Sequence, residues 1–148
     1  MTDSLDSTIP GPPVGKPRPR VTRGGKHVHY PPRYHDWLRH AVAQLSYEWT
    51  RPALDGPLRL EVWDYAQRPI RRPNGVTPGA WKSGRALVRP TKPDGDNVIG
   101  AVSDALERAR VIVNDSRIVS WHILNNWAGL GQAPCVRLRL SRYEEGDE

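Results

Sequence analysis

The chain has 148 residues, the size of one ordinary domain, and 37% of them are hydrophobic. No segment approaches the run of about 18 apolar residues that a membrane span needs, and the N-terminus lacks the basic start and apolar stretch of a secretory signal. The lone cysteine, Cys135, cannot form an internal disulfide. The composition therefore argues against a membrane-spanning protein and a disulfide-stabilised scaffold, and we expect a cytoplasmic protein.

Positive charge is concentrated in two stretches of the chain. The formal net charge is +6, which favours polyanionic partners such as DNA, RNA or acidic lipid. Residues 16–26 and 68–92 contain arginines and lysines but no acidic residue. Within these stretches the predicted contacts to a nucleic-acid backbone are Lys16, Arg18, Arg20, Arg71, Arg72, Lys82, Arg85 and Lys92.

The N-terminal half begins irregularly and then becomes periodic. Residues 1–13 are predicted to form a disordered lead, and Pro17 and Pro19 favour an extended path after it. Apolar residues at three- and four-residue steps predict a helix from about residue 32 to about residue 50. Leucine and valine at alternate positions over residues 58–62 predict a strand with one buried face.

The C-terminal half contains a second helix and short strands. Residues 67–93 are rich in proline, glycine and arginine and show no periodicity, whereas an apolar stripe predicts a helix over residues 96–108. Strands are predicted over residues 111–113, 118–124 and 135–140, and residues 143–148 form an acidic tail. This order of elements predicts a single α/β domain over residues 14–142, in which two main helices pack on a mixed sheet.

Three aspartates are candidate metal ligands. Asp94 and Asp96 flank Gly95 just before the second helix, and Asp115 follows the strand predicted after that helix. Mg²⁺ prefers oxygen ligands, and three converging acids would repel one another without a cation between them. From spacing alone, a second interpretation stays open: Asp94 or Asp96 caps the helix and Asp115 lies in an ordinary turn.

Three segments carry a family resemblance that spans roughly residues 13–140. PVGKPRPR at 13–20, KPDGDNVIGAVSDAL at 92–106 and VIVNDSRIV at 111–119 resemble, in order and spacing, the signature blocks of the RusA family of Holliday-junction resolvases. The resemblance implies a RusA-like homodimer that depends on Mg²⁺, with Mn²⁺ also possible, and nicks four-way DNA junctions on opposing strands. It implies that the acids at Asp94, Asp96 and Asp115 bind metal and are essential for catalysis. Asp104 matches another recurrent acid, which either supports the metal ligands or has a structural role.

The chain departs from the family pattern at positions that bear on activity. Members typically carry a catalytic lysine four residues after the second acid, where this chain has Gly100, and another family lysine falls on Asn125. Lys82, Lys92 or Arg108 could supply the missing charge. Two alternatives therefore stay open: a junction-binding protein with weakened or lost catalysis, and a basic module that binds RNA or a protein partner. Trp81, in the irregular, arginine-rich segment 67–93 (the basic loop), is the predicted contact for an unstacked base.

Overall fold

The computed structural model describes residues 3–17, 20, 21, 28, 29 and 31–146, the side chains of residues 20, 21, 28 and 29 excepted. Its elements are, in chain order, β1 (Leu5–Pro10), β2 (Arg20–Val21), β3 (Val28–His29), α1 (Pro32–Glu48), β4 (Leu58–Ala66), α2 (Pro78–Lys82), β5 (Leu87–Val88), α3 (Gly95–Arg108), a 3₁₀ turn (Asp115–Arg117), β6 (Ile118–Trp127) and β7 (Cys135–Arg142). The described part of the chain contains no helix long and apolar enough to cross a membrane.

A mixed five-stranded sheet forms the centre of the molecule. Its strand order is β1-β7-β4-β6-β5, and β2 and β3 form a separate antiparallel pair. Strands β4 and β6 are parallel, and the other neighbours in the large sheet are antiparallel. Parallel neighbours need a long crossover connection. Here that connection contains α3, which places the acidic segment at the helix start beside β6. The predicted α/β domain with a mixed sheet and two main helices is confirmed.

The core lies between the sheet and the two long helices. One stripe of α1 is buried, whereas α3 buries most of its apolar residues because it packs against both α1 and the sheet. From the sheet, Leu58, Leu60 and Val62 of β4 and Val136, Leu138 and Leu140 of β7 point into this core. Alternation along each strand turns the intervening residues, among them Arg59, Glu61, Arg137 and Arg139, to the opposite face of the sheet. The molecule therefore has one helix-covered face and one open face.

The expectation of a disordered lead over residues 1–13 is wrong for Leu5–Pro10. These residues form β1, which pairs with β7 in a register that sets Leu5 opposite Leu140 and Ile9 opposite Val136. Leu5, Ser7 and Ile9 are buried, and the residues between them are exposed. An alternating pattern of this kind stabilises an edge strand, because every second side chain joins the core.

Two further segments differ from expectation. Residues 111–113 form no strand of their own, and Ile112 makes a single isolated bridge to Leu54. The chain here is still tied to the end of α3, since the backbone N–H of Val111 donates to the carbonyl of Leu106. In the segment expected to be irregular, α2 begins after Thr77, whose side chain accepts a hydrogen bond from the backbone N–H of Ala80. This is the capping contact that a threonine at a helix start supplies.

Candidate active site and DNA-binding surface

Two glycines let the start of α3 fit tightly between its neighbours. A Cβ at Gly95 would lie 3.2 Å from Ile123 Cγ2 and 3.2 Å from Asn125 Nδ2, so the glycine permits close contact with β6. On the opposite side, a Cβ at Gly15 would lie only 3.0 Å from the Cβ of Asn97. The segment 13–17 therefore lies directly against the first turn of α3. Both contacts position the acidic residues at the helix start.

Asp94 and Asp96 face different depressions on the surface. Asp94 is the N-cap residue of α3, makes no capping hydrogen bond with its side chain, and lines a cleft of about 650 Å³. Asp96 lines a neighbouring groove of about 480 Å³ together with Asp115. Asp94 precedes the helix and has extended backbone (φ −67°, ψ 147°), whereas Asp96 is in the first turn of α3, which accounts for the separation. The structure thus brings two of the three predicted metal ligands to one groove and leaves Asp94 on the adjoining cleft.

The shared groove has the donor chemistry of a magnesium site. Asp96 and Asp115 are exposed, and within the described residues neither carboxylate has a hydrogen-bond or ion-pair partner. Mg²⁺ is commonly held by one or two carboxylates, with waters and substrate phosphate completing its shell. Among all the residues that the structure describes, no three His, Cys, Asp or Glu side chains lie close enough together to hold a metal. The residues therefore fit a two-carboxylate site, and the three-aspartate set stays a prediction.

Asp104 lies on a different side of α3 and connects the two long helices. The Tyr34 hydroxyl donates a hydrogen bond to it at 2.5 Å, and Nε of Arg108 donates another at 3.3 Å. Tyr34 belongs to α1 and is buried. These contacts favour the structural role among the two that the sequence leaves open for Asp104.

A buried ion pair that the sequence analysis missed holds the turn before Asp94. Nη2 of Arg89 lies 2.8 Å from each carboxylate oxygen of Asp64, and Nη1 donates to the carbonyl of Lys92 at 2.8 Å. Burial raises the pKa of the Asp64 carboxyl, while a hydrogen bond from the backbone N–H of Asn126 and the charge of Arg89 act in the opposite direction. One residue thus neutralises a buried acid and also fixes the chain just before the acidic segment.

The predicted DNA contacts fall into three groups. Arg71, Arg72, Lys82 and Arg85 are exposed on the segment between β4 and β5. Lys16 and Lys92 line the cleft that contains Asp94, where Arg33 adds a cation that the sequence analysis did not select. Arg18 lies outside the described residues, as does the side chain of Arg20. Lysine and arginine side chains therefore lie both beside Asp94 and on the segment between β4 and β5. Binding of DNA by these side chains stays a prediction.

Two tryptophans differ in their availability to a base. The guanidinium carbon of Arg68 lies 3.8 Å from the ring centroid of Trp81, and Nη2 of Arg68 donates to the Trp81 carbonyl at 2.6 Å, so one ring face is covered. Trp121 is 42% exposed and lines the groove of Asp96 and Asp115. Trp121 was not among the residues predicted from the sequence to contact DNA. Its position follows from the parallel register with β4, which sets Trp121 beside Leu60 on the helix-covered face.

Comparison with known proteins points to nuclease chemistry. The family described as "Endodeoxyribonuclease RusA" matches residues 10–138. The chain is also 29% identical over 120 residues to the Bacillus subtilis (strain 168) protein named "Uncharacterized protein YqaN", an alignment that covers 79% of this chain and 83% of that protein. The family match includes α3, the 3₁₀ turn and β6, which together carry the groove of Asp96 and Asp115.

Proposed function

The chain belongs to the RusA family of endodeoxyribonucleases, and we propose that it resolves four-way DNA junctions by paired nicks that depend on a divalent cation. Membership implies endodeoxyribonuclease activity and binding to branched DNA in general. The observation that carries the finer proposal is the groove in which Asp96 and Asp115 face solvent without a protein partner among the described residues. Carboxylates that can hold a divalent metal ion, bordered by lysine and arginine side chains that can hold phosphates, suit hydrolysis of a phosphodiester.

In this proposal the three aspartates have separate positions. Asp96 and Asp115 hold Mg²⁺ or Mn²⁺ in the groove, and Asp94 adds a third catalytic carboxylate from the adjoining cleft. The bound cation would supply charge stabilisation at the phosphate and a more acidic water. Asp94 is free for this role because its side chain makes no capping hydrogen bond with α3. Trp121, beside both acids in the groove, offers a ring on which a base next to the cut stacks.

The basic residues hold the DNA backbone around this centre. Lys16 and Lys92 hold phosphates at the cleft of Asp94, the exposed arginines and lysine of the segment between β4 and β5 hold further phosphates, and Arg18 and Arg20 extend the surface. A homodimer would supply two such sites, which suits paired nicks in strands of like polarity. The setting that this activity serves is DNA recombination or repair in the cytoplasm.

The test is cleavage of a labelled, immobile four-way junction by the full chain. We expect paired nicks with Mg²⁺, none with EDTA, and none with Asp96→Asn or Asp115→Asn. Asp36→Asn is a matched control, since this exposed acid on α1 pairs with Arg39 away from the groove. Tight junction binding without nicks, in Mg²⁺ and in Mn²⁺, would contradict the proposal.

A binding protein without catalysis is the second candidate. It is favoured by Gly100, where the family pattern has a lysine, and by the lack of a three-acid metal group among the described residues. This candidate predicts salt-sensitive preference for the junction over duplex DNA, with no product in either metal. A basic module for RNA or protein would instead show no such preference.

A further inference from the structure

α3 places no lysine or arginine side chain in the groove of Asp96 and Asp115. Gly100, one turn after Asp96, lines this groove where a side chain from α3 would otherwise project. Two carboxylates and a bound divalent cation leave the charge of an incoming phosphate only partly compensated. A positively charged side chain from another segment is needed to complete the site.

Lys16 lies across Gly100. A Cβ placed on Gly100 would be 3.7 Å from Cβ of Lys16 and 3.9 Å from its Cδ, which shows that the aliphatic part of the lysine passes over the glycine. The backbone N–H of Lys16 donates to the carbonyl of Asn97 at 2.8 Å. Its neighbour Gly15 packs directly on Asn97. The lysine is therefore anchored to the first turns of α3 at its backbone.

Lys16 is also available to an anion. It is half-buried and lines the cleft of Asp94, while its side chain borders the groove through Gly100. Within the described residues it has no ion-pair partner. A larger side chain at position 100 would occupy the space that the lysine crosses, so the glycine and the lysine are complementary.

The other cations considered for this role are placed less favourably. Arg108 pairs with Asp104 on a different side of α3. Lys82 lines a separate groove with Arg68 and Trp81. Lys92 lines the cleft of Asp94, but Gly100 has no contact with it in the described structure.

We propose that Lys16 contacts the phosphate that is cut and supplies, from the N-terminal segment, the positive charge that α3 lacks at Gly100. The proposal rests on the proposed nuclease function. It makes Lys16 a catalytic residue, and its main contribution is to the rate of cleavage. Lys16 thereby differs from the exposed loop cations, whose contribution is to affinity.

The experiment compares Lys16→Met, Lys16→Ala, Lys16→Ala/Gly100→Lys and the control Arg39→Met, an exposed cation on α1 that pairs with Asp36. Alanine at position 16 of the double variant leaves the space across position 100 to the relocated lysine. Single-turnover junction cleavage is measured at saturating protein, and junction affinity is measured as a function of salt without metal. Loss of one transition-state donor costs about 100-fold to 1000-fold in rate, so we expect Lys16→Met to be slower by about 100-fold. Relocating the lysine to position 100 should restore at least about tenfold of that loss, by the same electrostatic argument.

The salt dependence gives an independent readout. Removing one phosphate contact lowers the slope of log affinity against log salt by about 1, and we expect this for Lys16→Met but not for Arg39→Met. A wild-type rate and slope in Lys16→Met would overturn the role of Lys16 while leaving the nuclease intact. A wild-type chain that binds junctions but never cuts would overturn the nuclease function, and with it the catalytic role of Lys16.

Discussion

Arg89 places one guanidinium nitrogen 2.8 Å from both carboxylate oxygens of Asp64, and both side chains are almost completely buried. The partners come from different parts of the fold, because Asp64 lies in β4 and Arg89 follows β5. The other terminal nitrogen of Arg89, Nη1, donates a hydrogen bond to the carbonyl of Lys92, two residues before Asp94. An electrostatic contact inside the sheet is thereby coupled to the position of the acidic segment.

Breaking this pair from one side should strongly destabilise the protein. Removing one partner of a buried ion pair leaves an uncompensated charge and costs about 3–5 kcal/mol. We expect a loss of this size in the free energy of unfolding for Asp64→Asn and for Arg89→Met, measured by urea denaturation. Asp64→Leu/Arg89→Met, which removes both charges, should be more stable than either single variant.

The control for the pair is Asp6→Asn on the open face of the sheet. Asp6 accepts hydrogen bonds from Arg137 and Arg139, but all three side chains are substantially exposed. Exposed ion pairs contribute about 0–1 kcal/mol, so the control should change stability little. Equal small losses for Asp64→Asn and Asp6→Asn would show that the buried pair does not organise the core.

The alternation in β4 contained a signal for Asp64. Leu58, Leu60 and Val62 predict which face is buried, and the same period places Asp64 on that face. A buried carboxylate requires a partner, but nothing in the sequence identifies which of the many arginines supplies it. The partner is set by the antiparallel pairing of β5 with β6, a contact between distant segments. The fold class therefore followed from local patterns, whereas this contact did not.

The edge strand β1 gives a second test of the fold. Ile9 is 1% exposed, whereas the side chain of its neighbour Thr8 faces solvent. Replacing a buried isoleucine with alanine costs about 2–5 kcal/mol, so Ile9→Ala should lower the free energy of unfolding by this amount. Thr8→Ala is the matched control and should be near neutral. Equal, negligible effects in urea denaturation would support the disordered lead predicted from the sequence.

The acidic segment shows a different limit of sequence analysis. The spacing of Asp94 and Asp96 predicts that both lie at the start of α3, as they do. Asp94, however, is the N-cap residue with extended backbone (φ −67°, ψ 147°), so its side-chain direction does not follow the helical period, and it lines the cleft beside the groove of Asp96. Asp115 reaches the groove because the crossover returns the chain to β6 beside β4. Proximity through the crossover was predictable from the order of elements, but side-chain direction at the helix start was not.

The contact of Gly15 with α3 should matter more for cleavage than for stability. A Cβ at position 15 would lie 3.0 Å from Cβ of Asn97, which is fixed to the helix backbone, so Gly15→Ala should displace the segment that carries Lys16. We expect junction cleavage to fall at least about tenfold, since small misplacements at a site cost this much or more. Gly79→Ala is the control, because no atom lies within 4 Å of the added Cβ. Unchanged cleavage in Gly15→Ala would contradict the tight packing.

Trp121 should contribute to junction binding through its exposed ring. Stacking of a base on an aromatic side chain is worth about 1–3 kcal/mol, so Trp121→Ala should weaken junction affinity by about tenfold, while Trp121→Phe retains most of the effect. Leu124→Ala is a control on the same strand, because this exposed residue points to the opposite face of the sheet.

Trp81→Ala should have a smaller effect, since Arg68 covers one face of that ring. Mobility-shift titrations without metal measure these affinities, and a larger loss for Trp81→Ala than for Trp121→Ala would instead place the unstacked base at the basic loop.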